Sequence, residues 1–218
     1  MLRNRSASGD LVPDPARFPN GWRAVTSFIH GLGMKAGLYT SKSPFTCAGF
    51  AASCENEMRD AALFASWEID FVKEDSCGPC RQNDTLDYVR MHEAILAAGR
   101  PMVQTDEGAP DNANCSATNM CGNAKRVGHD IDASFTSMIS LVDIGSGLWP
   151  FAHNSSGAGG WWNDLDMLEV GNGDFNCDAD DAAMARCHVH FSMWSIMKAP
   201  RALRAKHCAR PLHATLRL

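Results

Sequence analysis

The 218 residues carry a net charge of −5 at pH 7, and 45% of them are hydrophobic and 21% charged. This balance is typical of a globular domain with a core and excludes a disordered or fibrous chain. The sequence contains no basic stripe of the kind that nucleic-acid binders carry. It contains no apolar run near the roughly 20 residues of a membrane span, and its first eleven residues lack the apolar segment of a signal peptide. We therefore expect no nucleic-acid or membrane partner.

Short apolar strands alternate with amphipathic helical segments along the chain. The predicted strands are 35–40, 69–75, 101–107, 126–131 and 164–170, the fourth being the weakest. The predicted helices are 21–32, 56–67, 86–98, 134–148 and 182–198. This alternation predicts parallel βαβ units in an α/β fold. No glycine-rich phosphate loop opens a helix, which disfavours a nucleotide-binding sheet. Five strands would make an incomplete barrel, because a closed (β/α)8 barrel has eight.

Polar side chains gather at the carboxyl ends of these strands, where parallel α/β folds place their sites. They are Tyr39, Lys73, Asp75, Glu107, Asp130 and Asp166. Because side chains alternate along a strand, Lys73 and Asp75 share one face. An ammonium group beside Asp75 favours the ionised carboxylate that a sugar-attacking nucleophile requires. From spacing alone, a surface ion pair at the end of a strand is the alternative interpretation.

Nine cysteines favour an oxidising compartment, and four Asn-x-Ser/Thr sequons point the same way. The sequons begin at Asn4, Asn83, Asn114 and Asn154. The run from Cys77 to Cys80 (CGPC) spells a redox motif, but that chemistry needs its first cysteine at a helix N-terminus, and here a strand precedes it. Cys187, His188 and His190 suggest a metal site, but residues two apart on a helix do not face each other. We therefore predict neither a metal nor a cofactor.

The stretch FASWEIDFVKEDSC resembles the segment around the nucleophile of glycoside hydrolase family 27, the melibiase-type α-galactosidases. Further blocks are similar to the same family, in family order over roughly residues 10–200: LVPDPARFPNGWRAVTSFIHGLGMKAGLYT, TCAGF, RVGHDIDASF, GGWWNDLDMLEVGNG and FSMWSIMKAP. The resemblance implies an incomplete (β/α)8 TIM barrel over residues 1–200, with about five of the eight strands present. Because the resemblance stops near residue 200, we expect residues 201–218 to be a divergent tail and the family's C-terminal β-sandwich to be absent.

The resemblance also implies residue roles. Asp75 corresponds to the nucleophile and Asp130 to the general acid/base of a double displacement through a covalent glycosyl-enzyme. The positions that contact or orient the sugar are Tyr39, Cys47, Lys73, Glu107, Arg126 and Asp166. Cys47 and Cys77 correspond to a structural disulfide. Without the resemblance, Asp130 or Asp132 would be interpreted as an N-cap of helix 134–148, and Asp166 is the second candidate for the acid.

The implied function is retaining hydrolysis of terminal α-linked galactose from oligosaccharides or glycoconjugates, with an α-galactoside as partner and no cofactor. One alternative is an α-N-acetylgalactosaminidase of the same family, because the run QTDEGAP around Glu107 departs from the family pattern where the two preferences separate. The other is a truncated, non-catalytic remnant. For the full-length protein the resemblance implies a secreted, lysosomal or vacuolar location and allows a homodimer.

Several departures from the family pattern lie at the ends and within the strands. The chain begins after the family's first two strands, which carry the acidic pair that binds the sugar 4- and 6-hydroxyls, and ARPLHATLRL does not resemble the eighth strand. Glu74 replaces an apolar or aromatic residue, Leu165 a proline and Lys125 a tryptophan. By alternation Glu74 faces the helix layer, where an unpaired charge is costly.

Because an open barrel has unpaired edges, we expect the 218 residues alone to be unstable or inactive, and a truncated gene model to explain the length.

Overall fold

The computed structural model describes residues 1–80, 84–107, 122–148 and 162–199. Among these, residues 1–125 form one compact unit, and residues 126–148 and 162–199 form a second. The predicted tail 201–218 and three of the four sequons, at Asn83, Asn114 and Asn154, lie outside the described residues. Asn4 is exposed. No helix among the described residues has the length and apolarity needed to cross a membrane.

Helices and strands alternate as the sequence predicts, which confirms the α/β class. The helices are α1 (Gly21–Gly31), α2 (Glu57–Ser66), α3 (Asp84–Ala97), α4 (Phe135–Gly147) and α5 (Asp181–Ile196). The strands are β1 (Gly37–Ser41), β2 (Phe71–Asp75), β3 (Val103–Asp106), β4 (Ala124–Arg126) and β5 (Trp162–Asp164), and a 3-10 turn covers Gly173–Phe175. Each helix begins and ends within two residues of its predicted bounds, since the apolar spacing that defines a helix is local.

The first unit contains a parallel sheet in which β1 pairs with β2, β2 with β3, and β3 with the start of β4. Leu38 and Val72 pack with Phe64 of α2 and Met91 of α3 in one buried core. Side chains alternate along a strand, so the residues next to Val72 in sequence point to the opposite face. The register sets Tyr39 beside Lys73 and places Asp75 at the carboxyl edge.

The second unit packs α4 and α5 around an apolar core that includes Leu141, Leu165, Leu168, Phe175 and Trp194. The N–H of Val127, just after β4, donates to the carbonyl of Asp164 in β5. Both helices begin with side-chain caps: Ser134 Oγ accepts from the N–H of Ser137, and Asp180 Oδ1 accepts from the N–H of Ala183. Such caps satisfy backbone donors that have no partner within the helix.

Two strand predictions were wrong in their bounds. Strand β4 ends at Arg126 instead of continuing to 131, so Asp130 lies in a loop. Strand β5 ends at Asp164, and the run 165–170 is not a strand. That run is apolar because Leu165, Leu168 and Val170 enter the core of the second unit, and burial produces the same sequence pattern in a loop as in a strand. Asp166 adopts a left-handed φ of 73° in this segment.

Candidate active site

Asp75 is the last residue of β2, and hydrogen bonds hold both of its carboxylate oxygens. The hydroxyl of Tyr39 donates to Oδ2 at 2.5 Å, and the N–H of Ser76 donates to Oδ1 at 2.6 Å. Tyr39 reaches Asp75 because β1 and β2 run parallel, with Tyr39 paired to Lys73 two residues earlier in β2. The carboxylate therefore has a defined direction at the carboxyl edge of the sheet.

Burial raises the pKa of Tyr39, and the hydrogen bond to Asp75 raises it further. The raised pKa keeps the phenol protonated, so its hydroxyl remains a donor to the carboxylate. Hydrogen bonds to ionised partners are shorter and stronger than neutral ones, which fits the 2.5 Å separation between the two oxygens. Tyr39 thus holds the carboxylate of Asp75 in one orientation and restricts its rotation.

Lys73 and Glu107 form an ion pair on the same edge of the sheet. Lys73 Nζ lies 2.8 Å from Glu107 Oε2 and 5.6 Å from the centre of the Tyr39 ring. Both side chains are partly open to solvent, 32% for the lysine and 17% for the glutamate. The pair therefore places an ammonium group and a carboxylate within reach of a polar ligand, beside the Tyr39–Asp75 contact.

A disulfide borders this edge. Cys47 and Cys77 are bonded to each other, the pairing that the resemblance implies, and the hydroxyl of Tyr39 lies 3.1 Å from Cys77 Sγ. Cys80, the other cysteine of the CGPC motif, is bonded to Cys54. The redox interpretation is therefore wrong for these residues.

Cys47, Cys77 and Asp75 lie close enough to hold a metal ion, but the two sulfurs are bonded to each other and are not the thiolates that metals bind.

In the second unit, the guanidinium of Arg126 contacts two carboxylates. Its Nη2 lies 3.0 Å from Asp130 Oδ1 and 3.0 Å from Asp166 Oδ2. The side chains of Arg126 and Asp166 are only 2% and 10% exposed, whereas that of Asp130 is 83% exposed. Asp166 Oδ2 also accepts a hydrogen bond from the N–H of Ile131 at 2.9 Å, which ties the loop carrying Asp130 to the segment after β5.

The N-cap interpretation of Asp130 is wrong, since Ser134 caps α4. Asp132 contributes a local turn instead, because its Oδ1 accepts from the N–H of Ser134. Asp166, the second candidate for the acid, contacts the buried guanidinium of Arg126. Of the two carboxyls, Asp130 is the one open to solvent, and so it has access to a leaving group or a water molecule.

The metal interpretation of the α5 cluster is also contradicted. Cys187 is bonded to Cys177. His190 is fully buried, and its Nε2 accepts from the N–H of Glu169 at 3.1 Å. Its ring packs against Phe175 and Trp194, and burial lowers its pKa to about 4. His190 is therefore a neutral core residue.

Sequence reasoning missed two serines that shape the edge around Asp75. Ser41 Oγ donates to the carbonyl of Asp75 at 2.9 Å and accepts from the N–H of Cys77 at 3.2 Å. Ser76 supplies the backbone donor described above. A signal for Ser41 was present, since it lies two residues after Tyr39 and therefore on the same face of β1.

Comparison with known proteins identifies the family. A family model described as alpha galactosidase A, Melibiase_2, matches residues 1–211. The alpha-galactosidase of Cyamopsis tetragonoloba is 35% identical over 199 residues, which are 90% of this chain and 45% of that protein. Human alpha-N-acetylgalactosaminidase is 32% identical over 210 residues, 91% of this chain and 48% of that protein.

Solved structures agree with the sequence comparison. The alpha-galactosidase of Saccharomyces cerevisiae, solved with raffinose, superposes with a TM-score of 0.78 at 29% identity, over 93% of this chain and 48% of that one. Alpha-galactosidase I of Mortierella vinacea gives a TM-score of 0.78 at 28% identity, over 97% and 56%. The chain spans about half the length of the relatives that it matches. It belongs to the alpha galactosidase A (Melibiase_2) family, glycoside hydrolase family 27.

Proposed function

We propose that the protein is a retaining α-galactosidase, in which Asp75 is the nucleophile and Asp130 the general acid/base. The observation that carries the proposal is the fixed carboxylate of Asp75, held at a strand end by the hydroxyl of Tyr39 and the N–H of Ser76. The family match over residues 1–211 supports the choice of α-linked galactose as substrate.

In the first step, an oxygen of Asp75 attacks the anomeric carbon, and the bond from that carbon to the glycosidic oxygen breaks. Asp130 gives its proton to the departing oxygen. A covalent glycosyl-enzyme and a free alcohol result. In the second step, Asp130 takes a proton from water, and the water oxygen attacks the anomeric carbon and releases Asp75. Two displacements at one carbon retain its configuration.

The surroundings of Asp130 support its part in this cycle. A group that acts first as an acid and then as a base must exchange protons with water, and the side chain of Asp130 is 83% exposed. In the first step it must be protonated, and Arg126 Nη2 at 3.0 Å opposes this by favouring the carboxylate. We infer that bound sugar excludes water from Asp130 and shifts the balance towards the protonated acid.

The remaining predicted positions supply polar contacts for the sugar. Lys73 and Glu107 offer a donor and an acceptor beside Asp75. Asp166 and Arg126 orient the loop that carries Asp130. Cys47 contributes through its disulfide, since its Sγ lies 4.0 Å from Asp75 Oδ2. We propose that Lys73 and Glu107 position the sugar ring against Asp75, and that Arg126 and Asp166 position Asp130.

A mechanism-based label tests the nucleophile. An α-galactose-configured cyclitol epoxide should alkylate Asp75, and mass mapping should find the adduct on the peptide that contains it. Asp75→Asn should abolish labelling, and the control Asp143→Asn, at an exposed position on α4, should leave it unchanged. An adduct on another carboxylate would contradict the assignment, and no adduct at all would favour the non-catalytic remnant.

The alternative substrate, α-linked N-acetylgalactosamine, is favoured by the similarity to the human enzyme at 32% identity. Rates with the aryl α-galactoside and the aryl α-N-acetylgalactosaminide decide between the two. A higher kcat/KM for the acetylated sugar would replace the proposed substrate while leaving the mechanism unchanged.

We also propose a secreted, lysosomal or vacuolar location. Three disulfides join described cysteines, and disulfides persist in oxidising compartments. The homodimer of the full-length protein and glycosylation at Asn4 stay predictions.

A further inference from the structure

A row of polar side chains crosses four strands at one level, on the face opposite Lys73 and Asp75. The members are successive partners in the parallel register: Thr40, Glu74, Asp106 and Lys125. Their exposures are 2%, 0%, 1% and 4%. Glu74 and Asp106 are direct neighbours on adjacent strands, and like charges so placed destabilise a sheet. Burial strengthens that repulsion because it removes the screening by water.

Gln104 brings the two carboxyls together. Its Nε2 lies 2.9 Å from Glu74 Oε2 and 2.8 Å from Asp106 Oδ1. The second oxygen of Asp106 accepts from the N–H of Gly122 at 2.9 Å. Within the described part of the chain, Glu74 Oε1 is buried and has no hydrogen-bond partner. One amide nitrogen thus joins two buried carboxyls, and it cannot neutralise either charge.

Helices α2 and α3 carry charged and titratable groups that interact with this pair. On α2, Glu57 adds negative charge. On α3, Asp87 does the same, although it pairs with Arg90 at 2.7 Å. The phenol of Tyr88 is fully buried, and Lys42 Nζ lies 5.4 Å from its ring.

Lys125 is the positive group next to Asp106 in the register. Burial and the charge of Asp106 raise the pKa of Glu74. Burial raises the pKa of Asp106 to about 7, and the hydrogen bonds from Gly122 and Gln104 and the charge of Lys125 oppose the rise. Both carboxyls are therefore shifted towards their protonated forms.

We propose that Glu74 and Asp106 share one proton in the folded chain, and that this proton holds together the strand ends that carry the site. The link to the site is direct, because the N–H of Glu107 donates to the carbonyl of Glu74 at 2.9 Å. Lys73 and Asp75 flank Glu74 in β2. Loss of the proton leaves two opposed charges between β2 and β3 and loosens the edge where Asp75, Lys73 and Glu107 lie.

The pair makes folding depend on pH in a defined direction. In the unfolded chain an aspartate ionises near its ordinary pKa of 3.8, whereas the pKa of folded Asp106 is about 7. The folded state therefore binds more protons between these values, and its stability falls as pH rises through that window. For one proton, the folding equilibrium constant should drop about tenfold per pH unit.

Urea unfolding, followed by tryptophan fluorescence from about pH 4 to about pH 8, tests the proposal. We expect the wild-type midpoint to fall with rising pH, and Glu74→Gln to flatten this dependence and unfold at higher urea than wild type at the alkaline end. The control Glu93→Gln removes an exposed carboxyl of α3 and should keep the wild-type slope. Comparing wild type with the two variants isolates the contribution of the Glu74–Asp106 pair, because His190 and the other groups titrate equally in all three proteins.

Infrared spectroscopy gives a readout that packing alone would not change. Near neutral pH the wild type should show the C=O band of a protonated carboxyl, and Glu74→Gln and Asp106→Asn should each lose it. The proposal would be overturned if the urea midpoint depended equally on pH in wild type and Glu74→Gln. It would also be overturned if the wild type lacked the band or did not unfold cooperatively at any pH. No measurement involves a sugar, so failure of the label on Asp75 would leave this result unaffected.

Discussion

Asp75 and Asp130, the two carboxyls proposed to act on one sugar carbon, differ in how their own units hold them. Asp75 ends a strand, and both of its oxygens accept hydrogen bonds, at 2.5 and 2.6 Å. Asp130 lies in a loop with its side chain 83% exposed, and Arg126 Nη2 approaches it at 3.0 Å. The proposed nucleophile is oriented before any substrate binds, as a preorganised site requires, whereas the proposed acid/base is open to water.

The units also differ in the titratable groups that they bury. Among the buried groups with a raised or lowered pKa, the first unit contains the carboxyls of Glu74 and Asp106, and the second contains the imidazole of His190. Burial disfavours the charged form in both cases, so it raises the pKa of Asp106 and lowers that of His190. The consequences for stability are opposite, because the contribution of Asp106 is lost as pH rises and that of His190 as pH falls.

The largest expected effects come from removing the two proposed catalytic carboxyls, one at a time. Asp75→Asn should reduce turnover of an aryl α-galactoside by on the order of 10^4-fold or more, because no covalent intermediate can form. Asp130→Asn should cost about 10^2- to 10^4-fold. Added azide should rescue the second variant, since a small anion can attack the glycosyl-enzyme without base catalysis. Azide rescue of Asp75→Asn alone, with retention of configuration, would reverse the two assignments.

Removal of the guanidinium should destabilise the second unit. Arg126→Met leaves the nearly buried Asp166 without its charged partner at 3.0 Å, and the loss should be about 3–5 kcal/mol in the free energy of unfolding. The matched control is Arg23→Met, which breaks the more exposed ion pair to Glu68 and should change stability by less than about 1 kcal/mol. Equal losses in urea unfolding would show that Arg126 does not organise its unit.

The orientation of Asp75, the proposed nucleophile, should depend on the phenol hydroxyl of Tyr39. Tyr39→Phe removes the 2.5 Å hydrogen bond to Asp75, and hydrogen bonds to charged groups contribute about 1.5–3 kcal/mol. We expect kcat/KM to fall roughly 10- to 100-fold, mainly through kcat, because the bond positions the attacking group. A change confined to KM would mean that Tyr39 binds sugar and does not orient Asp75.

The smallest expected effect is the loss of stability of the second unit in acid. The pKa of folded His190 is about 4 against an ordinary value of 6.5, so its contribution to stability is complete above about pH 6.5 and declines as pH falls towards about 4. At about pH 5 the loss should be on the order of 1–2 kcal/mol. His190→Gln should flatten this limb in urea unfolding, and an unchanged limb would contradict the assignment.

Local pattern was enough to predict the helices and the first three strands, and it placed Tyr39, Lys73, Asp75 and Glu107 at strand ends. Periodicity records which side of an element is apolar, and that depends on residues a few positions apart. It failed for β4 and β5, whose three residues each are too short to set a period. The apolar run after β5 is buried as a loop, and burial alone does not distinguish a loop from a strand.

The amino-acid sequence by itself determined the α/β class, the family and the residues that could act as nucleophile and acid. Only the tertiary structure decided which side chains meet. It paired Lys73 with Glu107, thirty-four positions later, and set Glu74 against Asp106 with Gln104 between them. The physical reason is that strand register decides which residues are neighbours across a parallel sheet. Register depends on how whole strands and helices pack, and residues a few positions apart do not fix it.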